Sequence, residues 1–256
     1  MNIIGIIPAR MGSTRFPGKP LAKILGMPMI GHMYYRSKMS KTLDEVYVAT
    51  CDKEIADYVG SIGGKAVITN NCHERATDRT AEAMVNIEKT ENKRIDFVAM
   101  IQGDEPLLVP EMIDDMVLPV KKKKDIKVVN LVEKILTEEE FNSPNIVKAV
   151  IDQDDNILYF SRESIPSRKK YNGDIPMLRQ LGIILFERDI LLDFSKMKQT
   201  PLEIIESVDM NRFLENGIKI KAVPISHRTH SVDTKEDLLK VEEMFKTDVL
   251  KDKYLS

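Results

Sequence analysis

Cysteine is scarce: Cys51 and Cys72 are the only two among 256 residues. That excludes the disulfide framework of a small secreted fold, and both are expected to be small structural residues. An excess of one charge is also missing. Lys and Arg number 38 against 40 Asp and Glu, a net −2 at pH 7, so a broad nucleic-acid-binding face is excluded. The basic run Lys121 to Lys124 follows an acidic stretch and reads as a solvated helix end. No apolar run approaches the ~18 residues of a membrane span, and no charged segment precedes a long apolar one near Met1. A soluble, cytoplasmic protein with no nucleic-acid or membrane partner is expected. Internal repeats and low-complexity linkers are missing too, so one domain over 1–256 is expected, with a lobe at about 127–180.

What remains is a chain that is 43% hydrophobic, enough for a full core. "NIIGIIP" (Asn2 to Pro8) is short, β-branched and ended by proline, a buried strand. "PMIGHMYYRSKMS" (Pro28 to Ser40) has helical spacing. "EVYVAT" (Glu45 to Thr50) is a second strand. "DKEIADYVGSIG" reads as a helix capped by Asp52 and stopped at Gly63. "KAVIT" is a third strand, Thr77 to Lys89 a helix, and "IDFVAMIQGDEP" (Ile95 to Pro106) a fourth strand running into an acidic turn. Such alternation predicts an α/β fold with a mostly parallel sheet and helices on both faces. Ligands bind at the carboxyl ends of such strands. After it, "IKVVNLVEK", "NIVKAVID" and "NILYFSRE" read as antiparallel strands. Helices return at Leu202 to Asn216 and Thr234 to Phe245.

The first strand ends in "IIPARMGSTRFPGKPL" (Ile6 to Leu21). Arg10, Arg15 and Lys19 lie there with Gly12 and Gly18 and with Pro17 and Pro20. Cations beside glycines that expose backbone N–H groups suit a polyphosphate. The loop is not G-x-x-x-x-G-K-[ST], because Gly12 and Gly18 are six apart and Pro20 follows Lys19. It is not G-x-G-x-x-G either.

Two acidic turns complete the pattern. "QGDEP" (Gln102 to Pro106) puts Asp104 at the mouth of the same crevice. A carboxylate beside polyphosphate commonly holds Mg²⁺, which keeps waters and takes few protein ligands; a helix cap is the other reading. In "SVDTKEDL" (Ser231 to Leu238), Thr234 reads as the cap in a capping box, which leaves Asp233 free. His227 and His230 form H-x-x-H, but Mg²⁺ prefers oxygen, so pocket-wall or structural roles are expected. For His73 a hydrogen-bonding loop role is expected.

These segments, with "VATCDKEI", "HERATDRTAE", "SPNIVKAVID", "LYFSRESIP", "RQLGIILFER" and "LENGIKI", occur in an order and spacing that resembles the 3-deoxy-manno-octulosonate (Kdo) cytidylyltransferases along nearly the whole chain. The resemblance implies a nucleotidyltransferase-type sheet with a small antiparallel dimerisation lobe, and a cytoplasmic homodimer. It implies Mg²⁺-dependent joining of CMP from CTP to a small acidic acceptor, with release of pyrophosphate, as in lipopolysaccharide biosynthesis. Pro8, Ala9, Arg10, Arg15, Lys19, Thr77, Asp78, Arg79 and Gln102 would lie by the nucleotide. Lys19, Arg15 and Asp104 would serve catalysis, and Asp104 and Asp233 would hold the metal.

The acceptor half departs from the family pattern. Arg75 and Ala76 replace the usual Ser and Gly in "RATDR". Gln180 and Ile184 stand where His and Tyr are usual, and Asp209 where Glu is usual. The acceptor side implied by position is Arg75, Gln102, Arg162, Gln180, Ile184 and Asp209. A hydroxyl-binding pocket that lost its partners would select differently. A modified Kdo such as 8-amino-Kdo, another ulosonic acid or a phosphonate is therefore an expected alternative to Kdo. An inactive nucleotide-binding relative would have lost Arg15, Lys19, Asp104 or Asp233, and all four are present. A sugar-1-phosphate nucleotidyltransferase would open on a GxGxR-like loop, which is missing.

Overall fold

The computed structural model describes residues 1–12, 16–171, 173 and 177–255. The chain forms two compact units, Met1–Asp114 with Thr229–Ser256, and Asp115–Arg228.

The first unit opens with β1 (Ile3–Ala9). A short hairpin follows, β2 (Lys23–Ile24) and β3 (Met27–Pro28). Its turn holds Leu25 and Gly26 at φ 48° and 84°, the two positive values that a tight hairpin turn demands. Then come α1 (Met29–Lys38), β4 (Glu45–Thr50), α2 (Lys53–Ser61), β5 (Lys65–Ile68), α3 (Ala76–Glu91) and β6 (Phe97–Ile101), and α4 (Pro110–Lys122) carries the chain across the boundary at Asp114. β1 pairs in parallel with β4 on one side and β6 on the other, and β5 adds to β4. Successive residues of β1 point to opposite faces, yet Ile3, Ile4, Ile6 and Ile7 are all buried. Both faces are therefore covered, which is why this strand reads as a continuous apolar run rather than an alternating one.

The second unit holds β7 (Val128–Lys134), α5 (Glu138–Asn142), β8 (Lys148–Ile151), β9 (Ile157–Ser161), β10 (Leu178–Glu187), α6 (Arg188–Lys196), α7 (Pro201–Glu206), α8 (Asn211–Glu215) and β11 (Lys221–Ile225). β7–β10, β10–β8 and β8–β9 are antiparallel, and β11 runs parallel to β7. The expected lobe at 127–180 falls inside this unit.

The helix expected over Leu202 to Asn216 is two helices. Ser207, between α7 and α8, adopts φ 52°, a left-handed turn that no α-helix continues through. The break folds α8 back so that Arg212 meets Glu203 in a two-pronged ion pair: Nε donates to Oε2 at 2.7 Å and Nη2 to Oε1 at 2.5 Å. Glu203 is fully buried and also closes the capping box on Thr200.

The chain returns to the first unit with α9 (Lys235–Thr247). Val241 and Phe245 of α9 pack with Phe16, Ile24, Met29 and Val232, and Glu242 accepts the Leu25 N–H at 3.0 Å. Residues beyond α9 reach α1, where Arg36 pairs with Asp248. Beside it, the buried His32 has Nε2 2.9 Å from the Ile24 carbonyl and Nδ1 2.9 Å from the Tyr254 hydroxyl. A carbonyl only accepts, so the neutral ring carries its proton on Nε2 and accepts the Tyr254 O–H at Nδ1.

Burial pushes the His32 pKa down, from 6.5 to about 4. As pH falls, the unfolded chain takes up this proton first. The stability held by neutral His32 is intact above pH 6.5 and is lost as the pH falls toward about 4, a loss on the order of 3 kcal/mol. Urea melts across that range should show the slope, and His32→Asn should flatten it.

Candidate active site

β1 delivers Pro8 and Ala9 to the carboxyl end of the sheet, and Arg10, Met11 and Gly12 continue into the loop. Arg15, expected to meet the phosphates, lies outside the described residues. The loop resumes at Phe16, 7% exposed, whose ring is set into the cluster that also holds Val232 and α9 side chains. Gly18 sits at φ 73°, a conformation that suits glycine. Its N–H donates to the Met11 carbonyl at 3.0 Å, closing the neck of the loop. Lys19 then opens a single 3₁₀ turn, Lys19–Leu21.

Lys19 is the hub. Its Nζ donates to Asp104 Oδ2 at 3.2 Å, to Asp233 Oδ1 at 3.4 Å and to the Val232 carbonyl at 2.8 Å. The side chain is 15% exposed. Asp104 comes from the turn after β6, and Asp233 from the approach to α9. The Val232 N–H donates to the Asp104 carbonyl at 2.8 Å, so the two acidic turns are laced together before any side chain is counted. Thr234 caps α9 with Asp237, as the capping box predicts, while the Asp233 carboxylate is engaged by Lys19. Asp104 likewise turns to Lys19, and α4 begins only at Pro110.

A cavity of about 300 Å³ opens beside this hub, with Arg10, Lys19, Arg75, Arg79, Gln102 and Asp104 among its lining. Pro8, Ala9, His73 and Glu74 complete much of the rest. Arg10 reaches the His73 carbonyl at 3.5 Å. Arg79, only 3% exposed, spends Nη1 on Thr69 Oγ1 at 2.6 Å and the Asn70 carbonyl at 3.3 Å. Its Nη2 is buried with no hydrogen-bond partner among the described residues, a cost that an acceptor atom on a ligand would remove. His73 pairs with Glu82. Burial pushes the Glu82 carboxyl up, but the Asn70 N–H and His73 hold it below its ordinary value.

Not every expected residue lies on this wall. Thr77 turns inward, fully buried, with its hydroxyl 3.8 Å from Met100 Sδ. Asp78 follows it in the first turn of α3 and is partly exposed. Arg75, expected on the acceptor side, lines the same cavity as Lys19.

Four expected acceptor residues belong to the second unit. Arg162 laces loops together: Nε donates to the Glu206 carbonyl at 2.8 Å, Nη1 to the Pro144 carbonyl at 3.0 Å and Nη2 to the Ser207 carbonyl at 3.4 Å. Gln180 and Ile184 bracket a bulge of β10 against β7. The buried Asn130 spans it, donating to the Leu181 and Ile183 carbonyls at 2.9 and 3.4 Å. Its Oδ1 receives the Gln180 amide at 2.8 Å. Ile184 is 2% exposed, and Asp209 sits partly exposed in the turn before α8.

Asp52 is the residue that sequence reasoning misplaced. It holds the N-cap position of α2 but makes no side-chain cap. Its Oδ2 instead accepts the Met11 N–H at 2.8 Å. An aspartate just before a helix gives no signal of that second use. Among the described residues, no three His, Cys, Asp or Glu side chains group to hold a metal. No helix is long and apolar enough to cross a membrane.

Comparison with known proteins identifies the family of the chain. A cytidylyltransferase family model matches residues 4–220. The 3-deoxy-manno-octulosonate cytidylyltransferase of Geobacter metallireducens is 41% identical, over 95% of this chain and 97% of its own. That of Fusobacterium nucleatum is 43% identical, over 98% and 100%. A CMP:2-keto-3-deoxy-manno-octonic acid synthetase solved with CTP superposes with a TM-score of 0.88 at 34% identity, covering 96% of this chain and 99% of that one. A 4-diphosphocytidyl-2C-methyl-D-erythritol synthase from Anaerococcus prevotii shares the fold alone, at TM-score 0.63 and 14% identity.

Proposed function

The chain belongs to the cytidylyltransferase family, among the 3-deoxy-manno-octulosonate cytidylyltransferases, and from that membership we propose that it joins CMP from CTP to Kdo or a Kdo-like ulosonic acid, releasing pyrophosphate. The observation that carries the reading is the convergence of Lys19, Asp104 and Asp233 beside a cavity lined by Arg10, Arg75 and Arg79.

Four cations on one wall suit a ligand with about four negative charges. Arg10 and Lys19 would embrace the phosphates, Lys19 meeting the charge that builds on the α-phosphoryl oxygens. Arg15 is proposed, from its sequence position, for the leaving pyrophosphate. Arg79 offers its buried donor to the nucleotide. The acceptor's anomeric hydroxyl would attack the α-phosphorus in line, so no side-chain nucleophile is needed.

Asp104 and Asp233 both lie within 3.4 Å of one nitrogen, and an oxygen-only pair fits a hard cation that keeps most of its waters. They would hold Mg²⁺, which when bound supplies Lewis acidity toward the phosphate and the attacking hydroxyl. In the free protein the Lys19 ammonium neutralises the same two carboxylates. We propose that the enzyme works in the cytoplasm as a homodimer joined through the lobe at 127–180.

The relatives' names favour Kdo, while the departures from the family pattern at Gln180 and Ile184 favour a modified acceptor. An acid panel of Kdo, 8-amino-Kdo, neuraminic-type acids and simple phosphonates, each with CTP, UTP, ATP and GTP, decides. The CMP product of an ulosonic acid is expected by mass, with CTP preferred. Product from another nucleotide alone, or with phosphonates alone, overturns the reading.

A further inference from the structure

We infer that Asp52 is a positioning residue for the nucleotide: its carboxylate sets the neck of the cation loop by accepting the Met11 N–H. The inference rests on reading that loop as the CTP site.

Three observations converge. First, Asp52 forgoes a helix cap that its position offers; such a cap is typically worth about 1 kcal/mol. Its carboxylate is turned to Met11 instead, at 2.8 Å. Second, Met11 is the clasp of the loop. Its N–H goes to Asp52 and its carbonyl accepts the Gly18 N–H at 3.0 Å. The residues just outside this clasp are Arg10 and Lys19, and both line the cavity. The clasp therefore sets the spacing between two cations that must reach one ligand. Third, Asp52 is itself anchored. Its N–H donates to Thr50 Oγ1 at 3.0 Å, and the fully buried Thr50 pairs with Ala9 across β4 and β1. The carboxylate thus refers the loop to the rigid end of the sheet.

Electrostatics narrows the role further. A carboxylate near a phosphate loop opposes an anionic ligand, so its use is the accepted hydrogen bond and not its charge. Asparagine can accept the same bond through Oδ1. Serine would be a good helix cap, but its hydroxyl is too short to reach Met11.

The test is calorimetric titration of CTP into the wild type and into Asp52→Asn, Asp52→Ser and Asp52→Ala, with thermal melts and Michaelis constants for both substrates. The Ser and Ala chains should bind CTP about tenfold more weakly, and the Asn chain within about threefold of wild type. Melting temperatures and the acceptor's KM should hold. CTP affinity within about twofold of wild type for Ser and Ala, a loss in Asn equal to that in Ala, or an equal rise in both KM values would each overturn the inference. If the wild type takes up a different nucleotide and not CTP, the functional reading fails; the same variants titrated with that nucleotide then decide the role of Asp52 by itself.

Discussion

Asp104→Asn and Asp233→Asn should each cut CMP-product formation by on the order of 10²–10³-fold, the scale seen when one preorganised charge-stabilising group is removed. Each carboxylate is half of the proposed Mg²⁺ site, and asparagine keeps the shape while losing the charge that a hard cation needs. The fold should be nearly indifferent. Lys19 would keep the Val232 carbonyl and the remaining aspartate, and a partly exposed pair is worth about 1 kcal/mol or less. That corresponds to a shift in melting temperature of about 2–4 °C at this chain length. Turnover titrated against Mg²⁺, with parallel melts, checks both halves. Near-normal Mg²⁺-dependent turnover in both variants would show that the metal lies elsewhere. A large fall in melting temperature would show that the pair serves the fold.

The largest stability effect is expected far along the chain, at Glu203. Its carboxylate is buried, paired at both oxygens with Arg212, and close to the Thr200 N–H at 3.3 Å. Arg212 also donates to the Phe194 carbonyl at 3.1 Å and lies over the Phe194 ring at 4.0 Å. Glu203→Ala strands a guanidinium in the interior, and breaking such a pair from one side typically costs about 3–5 kcal/mol. Replacing both partners with apolar residues of similar size, Glu203→Leu with Arg212→Met, should recover most of that loss, because neither charge then needs solvation. Urea denaturation of the three chains reads the result. A single-variant loss below about 1 kcal/mol would mean that water reaches the arginine.

How much of this was legible beforehand differs from residue to residue. The parallel half was readable because β1, β4 and β6 are buried on both faces and so appear as unbroken apolar runs. The cations Arg10 and Lys19 were readable because they follow such a strand. Asp104 and Asp233 were readable as candidates, but their partner was not. Only folding brings Lys19 Nζ between two turns separated by about half of the chain. The Asp52 contact was hidden behind a stronger local signal, the helix start. The α7–α8 break was hidden because Ser207 takes a left-handed conformation with no glycine to announce it. The β10 bulge carries no local mark either, since it is held by Asn130 from the neighbouring strand. Leu25 is a similar case: a leucine at positive φ is tolerated where Gly26 shares the turn and Glu242 of α9 takes its N–H. For Asp52, the β10 bulge and Leu25 the missing information is a distant group that changes what a local residue does.

Along the chain, the second unit interrupts the first, and it falls between Asp104 and Asp233. Synthesis therefore sets an order on assembly. When β6 and the Asp104 turn leave the ribosome, the cation loop is already made, but Asp233 and α9 are not. Phe16 then lacks Val232, Val241 and Phe245, and Lys19 has one carboxylate instead of two. All of residues 115–228 must be made before Lys19 and Phe16 can find these partners. A nascent chain halted anywhere in that insert would display the loop without its second acidic arm, and with it an unfilled apolar socket for Phe16.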